Sequence, residues 1–564
     1  LEAVEPLNTI KYYESLLGIS IGFDVCAQKT PHYIKYLEGN SPGFKYLGRC
    51  DRRVHFKNVK TKPNSTVFSW LHSKDYLNDN YDMKLTHRQC RPTLDSGYVA
   101  VQKFSKLPST IANSEAMQFA QNFLKRMFLP FTSNSKIVHW EDVKSSMNKN
   151  AINGYPFSIL LSMATKKDFF QLENWVEIVE QLEEVAFNNP DFRVFWQVSQ
   201  KHEMRANDKL DLEVPKIRVF LAACVDFVVL QNKYCLDFNN RFMLAFNHTF
   251  SKVGYSKYHF GWHRIIEYFG EFTKSISVDG QAFDTTIARF LLQWMIELRI
   301  ESYDLSYDLK LCRKVLNFIY NNISYSMLVL EDGTLVVKTM GNTSGQASTI
   351  IDNTGVSVGA LAYAYYRHEV ANGREPSYSG LLSAIRAVVL GDDSLMGLDP
   401  FGDFSFTFLE LSNYYSEIGI KLTLEEMEFV PVFDSEFMST RFLKNENGIY
   451  LPFMNRNKMF SSLMAGHSNA DPRWVLLRIF AFRTECWADK VMIKMLLKFE
   501  RFIISRYRTH LVGSIDLKNG EFIKMEDIWT TRLDDVVLDH LYMGFESNKE
   551  LPFNLEMHKM LVGN

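Results

Sequence analysis

Four aspartates stand at the ends of the most strand-like stretches of an otherwise apolar and aromatic chain: Asp279 and Asp284 in "SVDGQAFDTT", Asp392 and Asp393 in "VVLGDDSLMG". That placement constrains the fold more than any other feature. "KSISVD" alternates toward a strand that Asp279 ends, and "IRAVVLGDDSLMGL" reads as two short apolar strands around a Gly-Asp-Asp turn. The two sets of carboxylates meet only if these strands are neighbours in one sheet. Next, "TTIARFLLQWMIELRIESY" carries Ile287, Phe290, Leu291, Trp294 and Leu298 on one helical face, which puts Asp284 in the turn leading into that helix.

The rest of the chain bounds the answer. At 564 residues it exceeds what one hydrophobic core serves, so several subdomains on a shared scaffold are expected. With 46% hydrophobic, 14% aromatic and 23% charged residues it carries no disorder signature. A formal charge of -2 means that any phosphate contact rests on local Lys and Arg clusters. Cys26, Cys50, Cys90, Cys224, Cys235, Cys312 and Cys486 are scattered and form no CxxC pair, which reads as reduced thiols in a cytosolic setting without disulfides or structural zinc. No apolar run approaches the roughly 18 residues of a membrane helix, and "LEAVEPLNTI" lacks signal-peptide regions. A start at Leu1 fits release from a precursor or trimming.

No repeat or linker divides the chain. Residues 1 to 150 mix short apolar runs with turns such as "EGNSPGF" and "TKPNST" and give little periodic signal. Helices are expected over 169 to 187 and 225 to 246, a hairpin around Asp332-Gly333, and another helix through "QASTIIDNTGVSVGALAYAYYRH". From about 445 the chain reads as a separate helical subdomain, basic on its polar side. Its segment Asp489 to Arg508 spaces Lys490, Lys494, Lys498 and Arg501 along one side, with Phe499, Phe502 and Tyr507 interleaved. That pattern suits either the backbone of a nucleic-acid duplex or an amphipathic helix facing water.

Taken singly, D-x4-D is as well a helix cap and GDD a common hairpin turn. Between them, however, lies "GNTSGQASTIIDNT", a Ser344-Gly345 turn followed by Thr349 and Asn353 on successive turns of one helix face. This order resembles motifs A, B and C of a viral RNA-dependent RNA polymerase of the picornavirus-like superfamily. "KHEMRANDKLDLEVPKIRVF" resembles motif F through Lys201, Arg205, Lys216 and Arg218, cations suited to a triphosphate. "AINGYPFS" resembles motif G through Asn153, Gly154, Tyr155 and Pro156. "YYSEIGIKLTLEEMEF" resembles motif D, but its lysine falls at Lys421 where the family pattern aligns Met427. "SEFMSTRFLK" resembles motif E only at Phe437 and Arg441.

The resemblance implies an α+β right hand of fingers, palm and thumb with an antiparallel palm sheet. Its expected divisions are fingers over 1–221 with an N-terminal extension, palm over 222–299, a fingers insertion over 300–340, palm over 341–444 and helical thumb over 445–564. It implies two Mg²⁺ ions, with Mn²⁺ able to substitute, held by Asp279 and Asp392 with Asp393 assisting, and Lys421 as a candidate general acid. Lys201, Arg205, Lys216 and Arg218 would meet the triphosphate, and Asp284, Ser344, Thr349 and Asn353 the ribose 2′-hydroxyl. Gly154, Tyr155, Pro156, Gly345, Phe437 and Arg441 would line the template and primer. Implied partners are an RNA template, the primer or product duplex, NTPs and a genome-linked protein primer or other replication proteins, at replication complexes in the host cytoplasm. A positive-strand RNA virus is the main reading. A partitivirus-like double-stranded RNA virus polymerase and a catalytically silent RNA-binding relative are the alternatives. Gly391 and Asp284 argue against a reverse transcriptase.

Overall fold

The computed structural model describes residues 4–39, 42–423, 427–517, 520–544 and 550–563. Residues 424–426 of the motif D stretch, 40–41 of the first turn and Leu1 lie outside them.

The expected strands are neighbours. A four-stranded antiparallel sheet runs Val430–Pro431, Lys274–Val278, Asp393–Leu398, Ile385–Leu390. Buried Ile276, Val278, Val388, Val389, Leu395 and Met396 give it its apolar mass. Helix Thr349–Ala371 packs on helices Ser114–Thr132, Arg289–Ser302 and Phe408–Glu417. Its Gly355 and Gly359 leave room for Met295 and Trp294, since a Cβ there would come within 2.2 Å and 2.5 Å of those side chains. The sheet and the helices Thr349–Ala371 and Phe408–Glu417 lie within the segments expected as palm, and Ser114–Thr132, from the segment expected as fingers, packs against them.

The fingers carry a mixed five-stranded sheet in the order Phe44–Arg49, Thr334–Lys338, Met327–Val329, Phe195–Gln200, Val219–Ala223. The hairpin expected at Asp332-Gly333 supplies two of its strands. A third small sheet, Glu436–Phe437, Thr440–Lys444 and Tyr450–Met454, leads into the thumb helices Arg456–Ala465, Pro472–Glu485, Lys490–Arg506, Asp535–Met543 and Leu555–Val562. The right-hand architecture is the one expected.

Three expectations need correcting. The helix over 169 to 187 is two, Lys166–Phe170 and Trp175–Asn188. The break lets Phe170 and Trp175 meet edge to face at 5.1 Å, a contact that residues five apart on one continuous helix cannot make. The first 150 residues are also more regular than their pattern suggested, because Ser114–Thr132 is a 19-residue amphipathic helix.

The third correction concerns the thumb. Val67, Trp70 and Tyr81 belong to the thumb core, so residues 64–83 are part of the thumb's packing although the sequence assigned them to the fingers. Trp70 is fully buried and stacks on Phe499 at 4.9 Å. Asn64 donates to the carbonyls of His467 and Asn469, and Ser461 Oγ accepts from Thr86 N at 2.9 Å. The same strap continues into His87–Gln89, which pairs with Met204–Ala206 of the fingers. Fingers and thumb are thereby joined through one continuous segment.

Candidate active site

Register brings the aspartates together. Ser394 faces Val278, so Asp393 and Asp279, one position further along each strand, lie side by side at the sheet's end. Gly391-Asp392 is a two-residue hairpin turn closed by Leu390 and Asp393, and Gly391 takes φ +66°, which glycine adopts without strain. Helix Thr349–Ala371 grips that turn twice: Gly391 N donates to Thr354 Oγ1 at 2.8 Å, and Ser357 Oγ donates to Gly391 O at 2.7 Å. The motif B helix therefore sets the height of the motif C turn.

Asp393 is half-buried and accepts a 2.7 Å hydrogen bond from Met438 N. Burial pushes its carboxyl up to about 7, the Met438 N–H opposes this, and Asp392, Asp279 and Glu436 add like charge. Met438-Ser439 is the tip of the motif E hairpin, with φ of +53° and +54°. Sequence reading passed over Met438 because its contribution is a backbone N–H.

Asp284 lies on the short helix Phe283–Thr286 and accepts from Asn353 Nδ2 at 2.6 Å. Burial raises its carboxyl; Asn353 opposes this, Asp392 adds to it, and Lys201 and Arg218 counter it. Thus two of the four motif F cations, Lys201 and Arg218, act on the carboxylate set. Arg218 is held by Glu203 through two 2.6 Å bonds, a bidentate grip that aims its guanidinium. Arg218 also senses Asp392.

Two lysines missed at the sequence level complete this field. The Lys103 ammonium is held down by burial and then by Arg205, Lys216, Arg218 and Lys106, so five cations share one region. Lys106 is in turn held down by burial and by Lys421. Lys421 itself is exposed, and its carbonyl accepts from Gln281 N at 2.8 Å beside the Asp279 loop.

Other expected residues serve the frame. Thr349 Oγ1 donates back to the Ser344 and Gln346 carbonyls, both at 3.0 Å, closing the motif B loop onto its helix. Gly345 lies against the strand Val219–Ala223, where a Cβ would meet Leu221 O at 2.0 Å. Tyr155 is fully buried with its hydroxyl on Asp51 O, and Asn153 is spent on the Met163 and Thr165 carbonyls, so these motif G side chains hold their loop rather than face a groove. Phe437 is buried in a cluster with Trp262, while Arg441 is exposed near Glu436. A cavity of about 750 Å³ lies apart from the aspartates, between the extended segment Arg52–Lys60 and thumb residues Gly466–Ser468.

The carboxylate set suits hard divalent cations: register sets Asp279 beside Asp393 at the sheet end, with Asp392 in the adjoining turn. Among the described residues no three His, Cys, Asp or Glu side chains close on a single point. Mg²⁺ accords with that openness, because it is held by one or two carboxylates while water and substrate phosphates complete its shell.

Comparison with known proteins accords with this arrangement. Residues 85–472 match the family model described as viral RNA-dependent RNA polymerase. The chain is 26% identical over 522 residues to the genome polyprotein of Plum pox potyvirus (isolate NAT), covering 89% of the chain and 16% of the polyprotein. With the Ryegrass mosaic virus genome polyprotein it shares 28% over 370 residues, 64% of the chain and 11% of the polyprotein. With that of Turnip mosaic virus (strain Japanese) it shares 27% over 389 residues, 67% and 11%. The chain thus spans a minor part of these relatives. Among solved structures, the Sicinivirus 3Dpol RNA dependent RNA polymerase superposes with a TM-score of 0.60 at 16% identity, covering 82% of this chain and 98% of that one.

Proposed function

The chain belongs to the viral RNA-dependent RNA polymerase family, and from that premise we propose that it copies the genome of a positive-strand RNA virus by adding NTPs to an RNA 3′-hydroxyl. The observation that carries this reading is the meeting of Asp279, Asp392 and Asp393 with the Asp284–Asn353 pair and the Lys201 and Arg218 cations around one sheet end. Its likeness to potyvirus genome polyproteins supports the positive-strand reading over the double-stranded one.

Asp279 and Asp392, with Asp393 assisting, would hold two Mg²⁺ ions, which would lower the pKa of the primer 3′-hydroxyl and orient the triphosphate. Around them the chain's own groups do the positioning. Arg218, aimed by Glu203, together with Lys201, Arg205 and Lys216, would neutralise the triphosphate, and Lys103 would extend that field. Lys421 would donate a proton to the leaving pyrophosphate. Asp284 and Asn353 would read the ribose 2′-hydroxyl, since a site built to hydrogen-bond that group rejects its absence. Arg53, Lys57 and Lys60 with Phe56, beside the cavity at Gly466–Ser468, would carry single-stranded template toward the palm.

The test is extension of an annealed RNA primer with NTPs and Mg²⁺ or Mn²⁺, beside Asp392→Ala. Extension that falls at least about a thousandfold in the variant, some 4 kcal/mol of barrier, supports the assignment. Wild-type protein that binds RNA yet extends no template would instead make it a silent relative.

A further inference from the structure

Asn353 can orient its amide two ways, and only one presents N–H to the Asp284 carboxylate. Its other end is buried, so Oδ1 needs a donor there, and Asn342 Nδ2 supplies it at 2.8 Å. Asn342 Oδ1 accepts in turn from Gln346 Nε2 at 3.1 Å, and Gln346 Oε1 accepts from Gln231 Nε2 at 2.6 Å. All four amides are buried, and every donor points the same way: Gln231 to Gln346 to Asn342 to Asn353 to Asp284.

Groups of fixed polarity set that direction. Ala347 N donates to Gln231 Oε1 at 2.9 Å, so the Gln231 NH2 must face Gln346. Ser348 N donates to Gln346 Oε1 at 2.6 Å, and Asp352 Oδ2 accepts from Gln346 Nε2 at 3.0 Å, which fixes both ends of that amide. Asp352 is itself anchored by the fully buried Arg299 at 3.2 Å and by the Tyr320 hydroxyl at 2.8 Å. Asn342 therefore stands between an N–H from one side and a bare oxygen on the other, with one orientation open to it.

We propose that Asn342 is a positioning residue for sugar selection: it locks the Asn353 amide with its N–H toward Asp284, leaving the pair set to read a 2′-hydroxyl. The inference rests on the reading of Asp284 and Asn353 as the ribose site. Asn342→Asp replaces the donor by an acceptor of the same shape, which sets two oxygens against each other and favours a flipped Asn353.

The experiment is single-nucleotide incorporation on an annealed RNA primer-template, with an NTP and its 2′-deoxy counterpart, for wild type, Asn342→Asp and Asn353→Ala. The expected result for Asn342→Asp is a rise in NTP KM that lowers kcat/KM about 10- to 100-fold, with dNTP kcat/KM held, so that discrimination collapses as it does in Asn353→Ala. In the double variant, Asn342→Asp should add nothing further. Equal losses for NTP and dNTP would mean a general structural role and overturn the proposal. Discrimination lost in Asn353→Ala but kept in Asn342→Asp would overturn the relay and leave the ribose site standing. Discrimination kept in Asn353→Ala would overturn the ribose reading and the relay with it. If Asn342→Asp does not fold, Asn342→Ala, which withdraws the donor without adding charge, decides the same outcomes.

Discussion

Asp393 and Glu485 are both acidic side chains taken largely out of water, and the protein treats them in opposite ways. Burial raises each. At Asp393 the neighbours are Asp392, Asp279 and Glu436, and the carboxyl goes up to about 7. At Glu485 the neighbours are Lys257 and His558, which outweigh burial and bring it down to about 2. His558 Nε2 lies 2.8 Å from Glu485 Oε2, and Tyr258, which is buried in the thumb core although it lies far from the thumb in sequence, reaches the same oxygen at 3.4 Å. Glu485 thus ties the thumb helices Pro472–Glu485 and Leu555–Val562 to each other and to the Lys257–Tyr258 segment, with its partners beside it, as a structural acid does. Asp393 sits among further acids, as a site must that receives its counter-charge from a ligand.

That contrast separates loss of chemistry from loss of fold. Asp392→Ala should remove extension while leaving the melting temperature near that of wild type, whereas Glu485→Gln should leave turnover per folded molecule intact and cost about 3–5 kcal/mol in urea unfolding, because Lys257 and His558 lose their buried partner. The pH dependence follows from the same depressed value. Glu485 contributes stability that is present above its unfolded pKa, the usual 4.5, and lost as pH falls from there toward about 2. Acid unfolding between these limits should flatten in Glu485→Gln. An unchanged acid limb would remove Glu485 from the structural side of the comparison.

What was legible at the catalytic end was local. A strand run, a glycine turn and an aspartate lie within a few residues of one another, so "IRAVVLGDDSLMGL" displays its own geometry. The Ser114–Thr132 helix went unread: Ala116, Ala120, Phe123, Leu124, Met127 and Phe128 form its buried face, but they lie in a stretch whose turns and short apolar runs give little periodic signal. Asn342 and Gln346 sat inside a recognised motif, yet their roles depend on hydrogen-bond direction fixed by Gln231, more than a hundred residues away. Lys103 joined the motif F cations only through the fold. The same holds for the strap: nothing near Trp70 in sequence announces Phe499.

The strap extends the comparison from single acids to whole segments. If residues 64–83 are thumb core, Trp70→Ala should cost about 3–5 kcal/mol through the cavity it leaves against Phe499 and Phe502. Its effect on extension per folded molecule should be minor, which kinetics at a temperature well below the melting transition will show. A stability loss under about 1 kcal/mol would mean the strap rests on the thumb without being part of its core.

The smallest effect tests the basic helix Lys490–Arg506, where sequence left RNA contact and a solvated face both open. Lys498 makes a salt bridge to Asp79 of the strap, and Phe499 is buried under Trp70, so this turn of the helix is engaged within the protein. Arg501, one turn on, is exposed on the same side. If the helix tracks duplex backbone, each lost phosphate contact lowers the slope of log affinity against log salt by about 0.9 for a double helix. Arg501→Ala should show that decrement and Lys498→Ala should not, because Lys498 already has its anion in Asp79. Equal decrements would mean that RNA draws Lys498 away from the strap, and that the salt bridge is a resting contact which duplex binding breaks.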